Sequence, residues 1–365
     1  MELASGLTVP RLPLVGGRLP RMSHRLATLL IAGVCVLAGL VVAAVLTVPY
    51  VALTPGPTLN TLGKPNGKAL IQITGRHIYP TTGNLNLVTV SYSGGPGTDF
   101  NIFSALRAWL TPNNAVVPAS EIYGSGQTQQ QVIQQDTQQM LGSQQDATAA
   151  ALCYLNISYT TADPIATVVK GSPAYGLLHP GDKVIAVDGT PVGCNHDVVT
   201  MIRNRAPGAP VDLTVDHNGT VKTVRLTTEN VGNKAVVGIQ LGVPAYRFPF
   251  SVKINLSDVG GPSAGLMFAL GIVDKLTPDN LTGGRFIAGT GEIQPNGAIA
   301  PIGGIQQKMA GARAAGATIF LSPADNCANT AGAVPTGLTV VKVSTLAGAV
   351  SDLEALKAGK AVPSC

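Results

Sequence analysis

The feature that most constrains this chain is an uncharged apolar run near its beginning. Residues 26–46 are 21 consecutive residues without a charge, and Thr28 carries the one hydroxyl group among them. As a helix, such a run is roughly 30 Å long, which is the thickness of the hydrocarbon core of a bilayer. It predicts a membrane-spanning helix, which we place at residues 26–49, after a tail of residues 1–25.

A cleaved signal peptide is the alternative interpretation of this run. The apolar part of a signal peptide is only about 7–15 residues long, and it ends at a cleavage site with small residues. Here the run is longer, and the Thr-Val-Pro-Tyr-Val-Ala segment at 47–52 has no clean small-x-small pattern. An uncleaved anchor is therefore the favoured interpretation.

The charges around the run predict its orientation. No charged residue follows the run until Lys64, whereas four arginines precede it, namely Arg11, Arg18, Arg21 and Arg25. Positive charge is retained on the cytoplasmic side of a membrane, so we expect a cytoplasmic N-terminus. The sequence thus predicts a single-pass protein of the cell membrane whose main part is extracytoplasmic.

The cysteines are consistent with an exported chain, since disulfides form in oxidising compartments. Cys35 lies in the apolar run, and the four others are Cys153, Cys194, Cys327 and Cys365. Four cysteines allow three pairings, and buried free thiols are the alternative to all of them. We expect Cys327 to pair with Cys365, because this bond would hold the C-terminus in place. No Cys-x-x-Cys pair or Cys/His cluster has metal-ligand spacing, so we expect no metal and no cofactor.

The composition excludes two further classes of protein. Charged residues make up only 12% of the chain and apolar residues 45%, which is the opposite of a disordered protein. The net charge is +5, but no stripe of lysines and arginines is interleaved with aromatic residues. Nucleic acid is therefore not an expected partner.

The segment after the apolar run mixes strand and helix patterns. Thr-Pro-Gly-Pro at 54–57 predicts a short linker, and the β-branched residues at 85–92 predict a strand. Residues 101–110 predict a short helix that carries the only Trp of the chain. The Gln-rich stretch at 127–145 predicts a helix with one buried stripe, because it retains apolar residues at helical spacing, namely Val132, Ile133, Met140 and Leu141.

A different pattern begins near residue 160. Gly-Ser-Pro-Ala at 171–174 and Gly-Asp-Lys-Val-Ile-Ala-Val-Asp-Gly at 181–189 precede a predicted helix at 196–205. Asn-Gly at 218–219 then separates two alternating strands, which is a strong signal for a two-residue hairpin. These residues resemble a bacterial PDZ domain, which we place at 159–230. The resemblance implies that an extended segment or a C-terminus of another protein binds by strand addition beside a helix. A β-rich spacer with an occluded groove is the alternative.

Gly-Pro-Ser-Ala-Gly at 261–265 leads into the apolar residues 266–273. Pro262 suits the first position of a helix, and the glycine before it allows a sharp turn. Ser263 would then lie at a helix N-terminus, where free N–H groups favour the negative charge of an oxyanion. By itself the motif is only a helix-start signal.

A serine nucleophile needs a base, and the histidines are poorly placed for that role. None of the five follows Ser263, three lie in the PDZ-like segment and one precedes the apolar run, which leaves His77. A buried lysine with a lowered pKa can serve instead. Lys308 is the candidate, since Pro-Ile-Gly-Gly-Ile-Gln-Gln-Lys at 301–308 opens an Ala-rich helix. A solvated surface lysine is the alternative.

The motif at 261–265, Thr-Gly-Glu at 290–292 and the motif at 301–308 resemble, in this order, the proteolytic domain of Lon proteases. The resemblance implies that Ser263 is the nucleophile, that Lys308 is the general base and that Thr290 helps to orient the lysine amine. One departure is that Lon proteins usually carry Asp directly before Gly-Pro-Ser, where this chain has Gly260. Asp258 is offset from that position and is not given its role.

The anchor, the PDZ-like segment and the Lon-like motifs together resemble the bacterial membrane-anchored Lon-like proteases with a PDZ domain. The expected fold is α+β, with an N-terminal transmembrane helix and a Lon-type α/β proteolytic domain into which the β-rich PDZ domain is inserted. The proteolytic domain would comprise residues 50–158 and 231–356, followed by a C-terminal tail at 357–365. Lon-type domains often form rings, so a homo-oligomer is implied as well.

The function that the resemblance implies is that of a serine endopeptidase acting on exported or membrane-associated proteins. It would not use ATP, because the sequence has no Gly-x-x-x-x-Gly-Lys-[Ser/Thr] motif. One alternative is a catalytically silent PDZ adaptor that keeps the Lon-like fold as a scaffold. A protease of the HtrA type is disfavoured, because its Gly-Asn-Ser-Gly-Gly nucleophile loop is missing.

Overall fold

The computed structural model describes residues 23–365, apart from Ser125, Asn195 and residues 257–258. Most of the predicted cytoplasmic tail, with three of its four arginines, therefore lies outside the described residues, as does Asp258.

The helices of the described residues are, in chain order, α1 (His24–Val45), α2 (Ile102–Leu110), α3 (Ala119–Ile122), α4 (Gln129–Tyr154), α5 (Val198–Arg203), α6 (Gly265–Leu276), α7 (Ile305–Ala314), α8 (Cys327–Thr330) and α9 (Leu346–Lys357). The strands are β1 (Tyr50–Asn60), β2 (Ile71–Thr74), β3 (Asn84–Gly94), β4 (Ala115–Pro118), β5 (Thr160–Val168), β6 (Lys183–Val187), β7 (Thr190–Pro191), β8 (Pro210–His217), β9 (Thr220–Thr227), β10 (Glu229–Val231), β11 (Lys234–Val236), β12 (Ile239–Leu241), β13 (Ala245–Arg247), β14 (Ser251–Ile254), β15 (Phe286–Gly289), β16 (Glu292–Ile293), β17 (Ile299–Ala300), β18 (Ile319–Pro323) and β19 (Thr339–Val343).

Helix α1 is formed by the apolar run. Its mean hydropathy is 2.7, and none of its residues is buried by the rest of the protein. Among the described residues it is the one helix that is long and apolar enough to cross a bilayer. Ser23 caps its first turn by accepting a hydrogen bond from the backbone N–H of Leu26. The helix is thus compatible with a single-pass membrane anchor.

The predicted linker at 54–57 is wrong, because these residues lie inside β1. The register between β1 and β3 shifts between Pro55 and Thr58, which marks an irregularity of the ladder. Proline lacks the N–H group that a regular ladder needs, so it is tolerated where the pairing is interrupted. The strand therefore continues through both prolines, and only residues 46–49 separate it from α1.

A six-stranded sheet of order β19-β18-β15-β3-β1-β4 forms the centre of the larger part of the chain. The strands from β19 to β3 are parallel, whereas β3, β1 and β4 are antiparallel. Helices α4, α6 and α9 pack together on one side of the sheet, and α7 packs against β1 and β3. The apolar residues accordingly form two cores. The larger core includes Phe268 of α6, and the smaller core includes Met309 of α7.

Residues 160–247 build a second sheet of order β12-β5-β6-β8-β9, in which β7 also pairs with β6 and β13 with β5, and it has a separate apolar core. The predicted hairpin is confirmed, since Asn218 and Gly219 connect β8 to β9 with φ angles of 51° and 88°. Both positions of this turn type require a positive φ. The predicted helix of this segment is also present, but as α5 it is shorter than expected.

The segments that precede and follow this second sheet along the chain pack together in the larger part of the protein. Strand β2 precedes it and β14 follows it, and the two strands pair with each other. The Tyr246 hydroxyl, on β13 at the end of the second sheet, donates a hydrogen bond of 2.8 Å to Asp146 of α4. A disulfide joins Cys153, at the end of α4, to Cys194, in the loop between β7 and α5. The sequence left this pairing open.

The prediction of one buried stripe along the Gln-rich helix is wrong. In α4, Met140 is buried, but Ile133 and Leu141 are 58% and 56% exposed. The buried part is the C-terminal half, where residues 147–153, four of them alanines, pack against the rest of the core. Small side chains allow α4 and α6 to approach closely, which a pattern of large apolar residues does not reveal.

The C-terminal residues pack against the edge of the large sheet. The backbone N–H of Lys342 in β19 donates to the carbonyl of Pro363, and the structure joins Cys365 to Cys327. The disulfide closes a loop with a sequence separation of 38 residues.

We expect Cys365→Ser to lower the free energy of unfolding by about 3–4 kcal/mol, because a loop of this length loses that much entropy when it is closed. Denaturant titration of the oxidised protein measures the change. Cys35→Ser is the matched control, since Cys35 is an exposed free thiol in α1. Equal stability of the Cys365 variant and the wild type would show that the bond does not form in the protein.

Candidate active site

Ser263 lies in a turn that leads into α6. The helix begins at Gly265, so the prediction that Pro262 is the first helical residue is wrong. The Pro262 carbonyl instead closes the turn by accepting from the backbone N–H of Gly265, and it also accepts from the Ser143 hydroxyl at 2.9 Å. Ser263 itself is half-buried, whereas α6 behind it is almost wholly buried from Gly265 to Asp274.

The Thr-Gly-Glu motif holds this turn in place. The Ser263 carbonyl accepts hydrogen bonds from the Gly291 N–H at 2.8 Å and from the Thr290 hydroxyl at 2.9 Å. A further bond of 3.0 Å joins the Leu266 N–H to the Gly291 carbonyl. A Cβ atom on Gly265 would lie 2.8 Å from the Ile293 side chain, so only glycine permits this close approach.

Lys308 reaches the serine from α7. Its Nζ lies 2.8 Å from the Ser263 Oγ and 3.0 Å from the Thr290 Oγ1. The helix starts at Ile305, directly after Gly304, whose φ of 67° turns the chain. The structure therefore brings together the three residues that the sequence singled out.

The amine of Lys308 has lost most of its contact with water. The side chain is only 4% exposed, and no carboxylate of the described residues forms an ion pair with it. Desolvation disfavours the charged form, and burial lowers the pKa of Lys308 from 10.5 to about 7. A large fraction of the amine is therefore neutral near pH 7, and its lone pair can accept the proton of the Ser263 hydroxyl.

Two cavities meet at the Ser263 hydroxyl. One has a volume of about 430 Å³, and the other has about 420 Å³. Both are bordered by Ser263 and Lys308, together with Tyr92, Asp136 and Gly260. The two cavities form one cleft with Ser263 at their junction. Such a cleft could bind an extended peptide with the bond to be cleaved at the serine.

One wall of the cleft is an open strand edge. Strand β15 pairs with β3 only as far as Gly289 opposite Leu87. Residues 88–92 of β3 line the first cavity, and within the described residues no strand pairs with them on that side. Such an edge presents backbone N–H and C=O groups that can pair with an extended peptide.

Asp136 is a residue of the cleft that the sequence reasoning missed. It comes from α4, and its backbone carbonyl accepts from the Gly261 N–H. A Cβ atom on Gly260 would lie only 2.5 Å from the Asp136 Cβ, so this carboxylate stands beside the position where Lon proteins usually carry Asp. Burial raises the pKa of Asp136 above its usual range. The available signal was that Asp136 is the one charged residue of the Gln-rich stretch.

The histidines of the described residues are not near the serine. The His77 ring packs against Tyr79, whose N–H donates to the Lys275 carbonyl at the far end of α6. His179 and His217 contact Asp182 in the second sheet. No histidine lines either cavity among the described residues.

Comparison with known proteins assigns families to two segments. Residues 257–353 match the family model of the Lon protease (S16) C-terminal proteolytic domain, and residues 153–228 match that of the PDZ domain. The chain therefore contains a Lon-type C-terminal domain and a PDZ domain in a mixed α+β fold, and both resemblances seen in the sequence are confirmed.

Three curated relatives are similar to part of the chain. Lon protease 1 of Bacillus subtilis is 35% identical over 92 residues, which are 24% of this chain and 12% of that protein. Lon protease 2 of Herpetosiphon aurantiacus is 38% identical over 92 residues, which are 24% of this chain and 11% of that protein. Lon protease of Methylocella silvestris is 32% identical over 148 residues, which are 38% of this chain and 17% of that protein. The chain thus spans only a small part of the length of these relatives.

Among solved structures, the PDZ domain of an SdrC-like protein of Listeria monocytogenes is similar to 22% of this chain. The similarity covers 85% of that domain, with 20% identity and a TM-score of 0.21.

The buried amine should make stability depend on pH. In the unfolded chain Lys308 keeps its proton up to about its ordinary pKa of 10.5, whereas the folded protein releases it near 7. Unfolding therefore takes up a proton between these values, and the free energy of unfolding should rise with pH in that window. From pH 7 to 9 the wild type should gain about 2 kcal/mol relative to Lys308→Met.

Denaturant titrations of both proteins at the two pH values measure this difference. Lys253→Met removes an exposed lysine of β14 and should follow the wild type. A Lys308→Met variant that gains as much stability with pH as the wild type would show that the amine is not neutral in the folded protein.

Proposed function

We propose that this chain is a serine endopeptidase that works without ATP, with Ser263 as its nucleophile and Lys308 as its general base. The observation that carries the proposal is the distance of 2.8 Å between the Lys308 Nζ and the Ser263 Oγ, with the lysine buried and unpaired among the described residues. The match of residues 257–353 to the Lon proteolytic domain supports a peptidase of this type.

In the first step the Ser263 Oγ bonds to the carbonyl carbon of the substrate while its proton moves to the Lys308 Nζ. Collapse of the intermediate breaks the C–N bond, and the Lys308 ammonium group returns the proton to the leaving amine. A water molecule then hydrolyses the acyl group on Ser263, again with Lys308 as the base.

Thr290 supports this chemistry as a positioning residue. Its hydroxyl donates to the Ser263 carbonyl and accepts from the lysine amine, so it orients both partners. For the oxyanion, the backbone N–H groups of Ser263 and Ala264 are candidates, because no carbonyl of the described residues accepts from them.

A catalytically silent adaptor is less consistent with the burial of Lys308. An amine without a carboxylate partner lowers the stability of a scaffold when it is buried, whereas a general base needs this environment. The unpaired burial therefore favours the enzyme over the adaptor.

Substrate capture involves the PDZ domain in this proposal. A cavity of about 570 Å³ lies between α5 and the strands β11 and β12, and most of its lining is apolar. Protein substrates would place an extended segment or a C-terminus there while another segment enters the cleft at Ser263. Pairing of β2 with β14 supports a PDZ domain inserted into a catalytic domain that begins at residue 50 and resumes after the insert, with a tail at 357–365. The insert would begin at 159 and extend past the expected boundary at 230 to residue 241, because β12 pairs with β5 and lines the groove.

The same proposal places the main part of the chain outside the cytoplasm. Helix α1 would span the cell membrane, and the arginines that precede it favour a cytoplasmic N-terminus. The two disulfides favour an oxidising compartment for the rest. Substrates would then be exported or membrane-associated proteins, and the homo-oligomer implied by the Lon resemblance belongs to the same proposal.

The dyad predicts that Ser263→Ala and Lys308→Arg each lower kcat/KM for a peptide by at least about 10³-fold, and that the double variant is no worse, because the two residues act as a unit. Arginine keeps its proton at any working pH, so it cannot be the base. Activity of the wild type should rise with pH through about 7, as the amine of Lys308 loses its proton.

Peptide hydrolysis at several pH values measures these effects. Ser251→Ala and Lys253→Arg are matched controls on β14 and should retain full activity, since both side chains are exposed. Turnover by Lys308→Arg would exclude the dyad. Failure of the wild type to react with a serine-directed probe would favour the adaptor.

The PDZ groove predicts a difference between long and short substrates. Val199 of α5 lines the groove, and Val199→Asp should lower kcat/KM for a protein substrate about tenfold more than for a short peptide, because a charge disfavours apolar binding. Val221→Asp, at a 62% exposed position of β9, is the control. Equal losses for both substrates would argue against a role of the groove.

A further inference from the structure

Helix α2 exposes its large apolar side chains and packs its small ones against the protein. The exposed fractions of the apolar residues are 50% for Ile102, 43% for Phe103, 49% for Leu106, 69% for Trp109 and 67% for Leu110. Leu106 is three or four positions from each of the other four, so the five residues lie on one side of the helix and form one stripe, which we call the apolar face of α2. Ser104, Ala105 and Ala108 are partly buried on the other side, where α2 contacts β1 and β4.

The helix starts where α1 ends. The Asn101 side chain caps α2 by accepting from the Ser104 N–H, and it also donates to the carbonyl of Ala44, in the last turn of α1, at 2.9 Å. The Val48 N–H donates to the Phe100 carbonyl at 2.8 Å. These bonds fix the first turn of α2 beside the end of the apolar helix.

We propose that α2 is an interfacial helix whose apolar face lies in the surface of the same bilayer that α1 spans. The inference rests on the proposed role of α1 as a membrane anchor. A helix that is hydrogen-bonded to the last turn of a membrane anchor lies next to the lipid headgroup region. A contiguous exposed apolar stripe marks a surface that contacts a membrane or another protein. Trp109 is a residue type that favours this region. Arg107 is exposed beside the stripe, as is typical of the polar face of an interfacial helix.

This contact would set the position of the cleft. Helix α2 packs on β1, and the same strand reaches the first cavity at Pro57. Pro57 follows Tyr50 by seven positions on β1, so at about 3.3 Å per residue the cleft lies roughly 23 Å from the start of the strand. With α2 in the membrane surface, β1 would hold the cleft at a fixed distance from the bilayer, within reach of protein segments that emerge from it.

Trp109 reports on this contact without labelling, because it is the only Trp of the chain. The full-length protein is reconstituted into phosphatidylcholine–phosphatidylglycerol vesicles, with lipids brominated on the acyl chain either close to the headgroup or close to the methyl end. We expect Trp109 to lose most of its fluorescence with the shallow bromine and much less with the deep bromine. Aqueous acrylamide should quench it weakly.

Two other results would overturn the inference. Strong quenching by acrylamide without quenching by bromine would mean that water covers the apolar face. Shielding from both quenchers would mean that protein covers it, as in contact with a second copy of the chain.

A double variant separates α2 from the anchor. Leu106→Gln with Leu110→Gln should lose the bromine quenching and gain acrylamide quenching, while α1 keeps the protein in the vesicles. Leu106 is 49% exposed and Leu110 is 67% exposed. The controls Val221→Gln and Val334→Gln change valines that are 62% and 44% exposed and lie far along the chain, in β9 and before β19. Unchanged bromine quenching in the double variant would refute the role of the apolar face.

Flotation with the vesicles and peptide hydrolysis are measured on the same samples. A wild type that does not float with the vesicles would overturn the membrane anchor and with it this inference. Loss of peptide hydrolysis alone would bear on the dyad and leave the position of α2 unaffected.

Discussion

The burial of the Lys308 amine is the constraint on which the rest of the catalytic part depends. Burial lowers the pKa of this amine to about 7, and no carboxylate of the described residues compensates its charge. Three separate parts of the structure provide this environment, since α7 carries the lysine, the Thr290 turn supplies its hydroxyl partner and the start of α6 covers it with Ser263. The close packing of α4 against α6 fixes that cover from behind.

The sequence predicted the features that short motifs determine by themselves. The Asn-Gly turn is one, because only residues that accept a positive φ fit both positions. Ser263, Thr290 and Lys308 are another, because three ordered motifs resembled one family and the structure brings the three side chains together. Their catalytic roles stay predictions that kinetic measurements can test.

Features that depend on distant packing were not predictable. Two prolines in four residues indicated a linker at 54–57, but an interrupted ladder lets β1 pass through them. Ile133 and Leu141 had helical spacing yet are exposed, because α4 buries small residues instead. Asp136 lies beside Gly260 only through the packing of α4 against the nucleophile turn, so the spacing of residues along the chain could not reveal its place in the cleft.

The short passage from α1 into β1 has a consequence for motion. A domain on a flexible linker can turn in any direction above a membrane, whereas here residues 46–49 and the bonds of Asn101 and Val48 couple α1 to the central sheet. For a chain held in a bilayer by α1, tumbling is suppressed and only lateral diffusion and rotation about the membrane normal remain. Encounters with a target in the same bilayer then become a search in two dimensions, with the cleft always presented at one height.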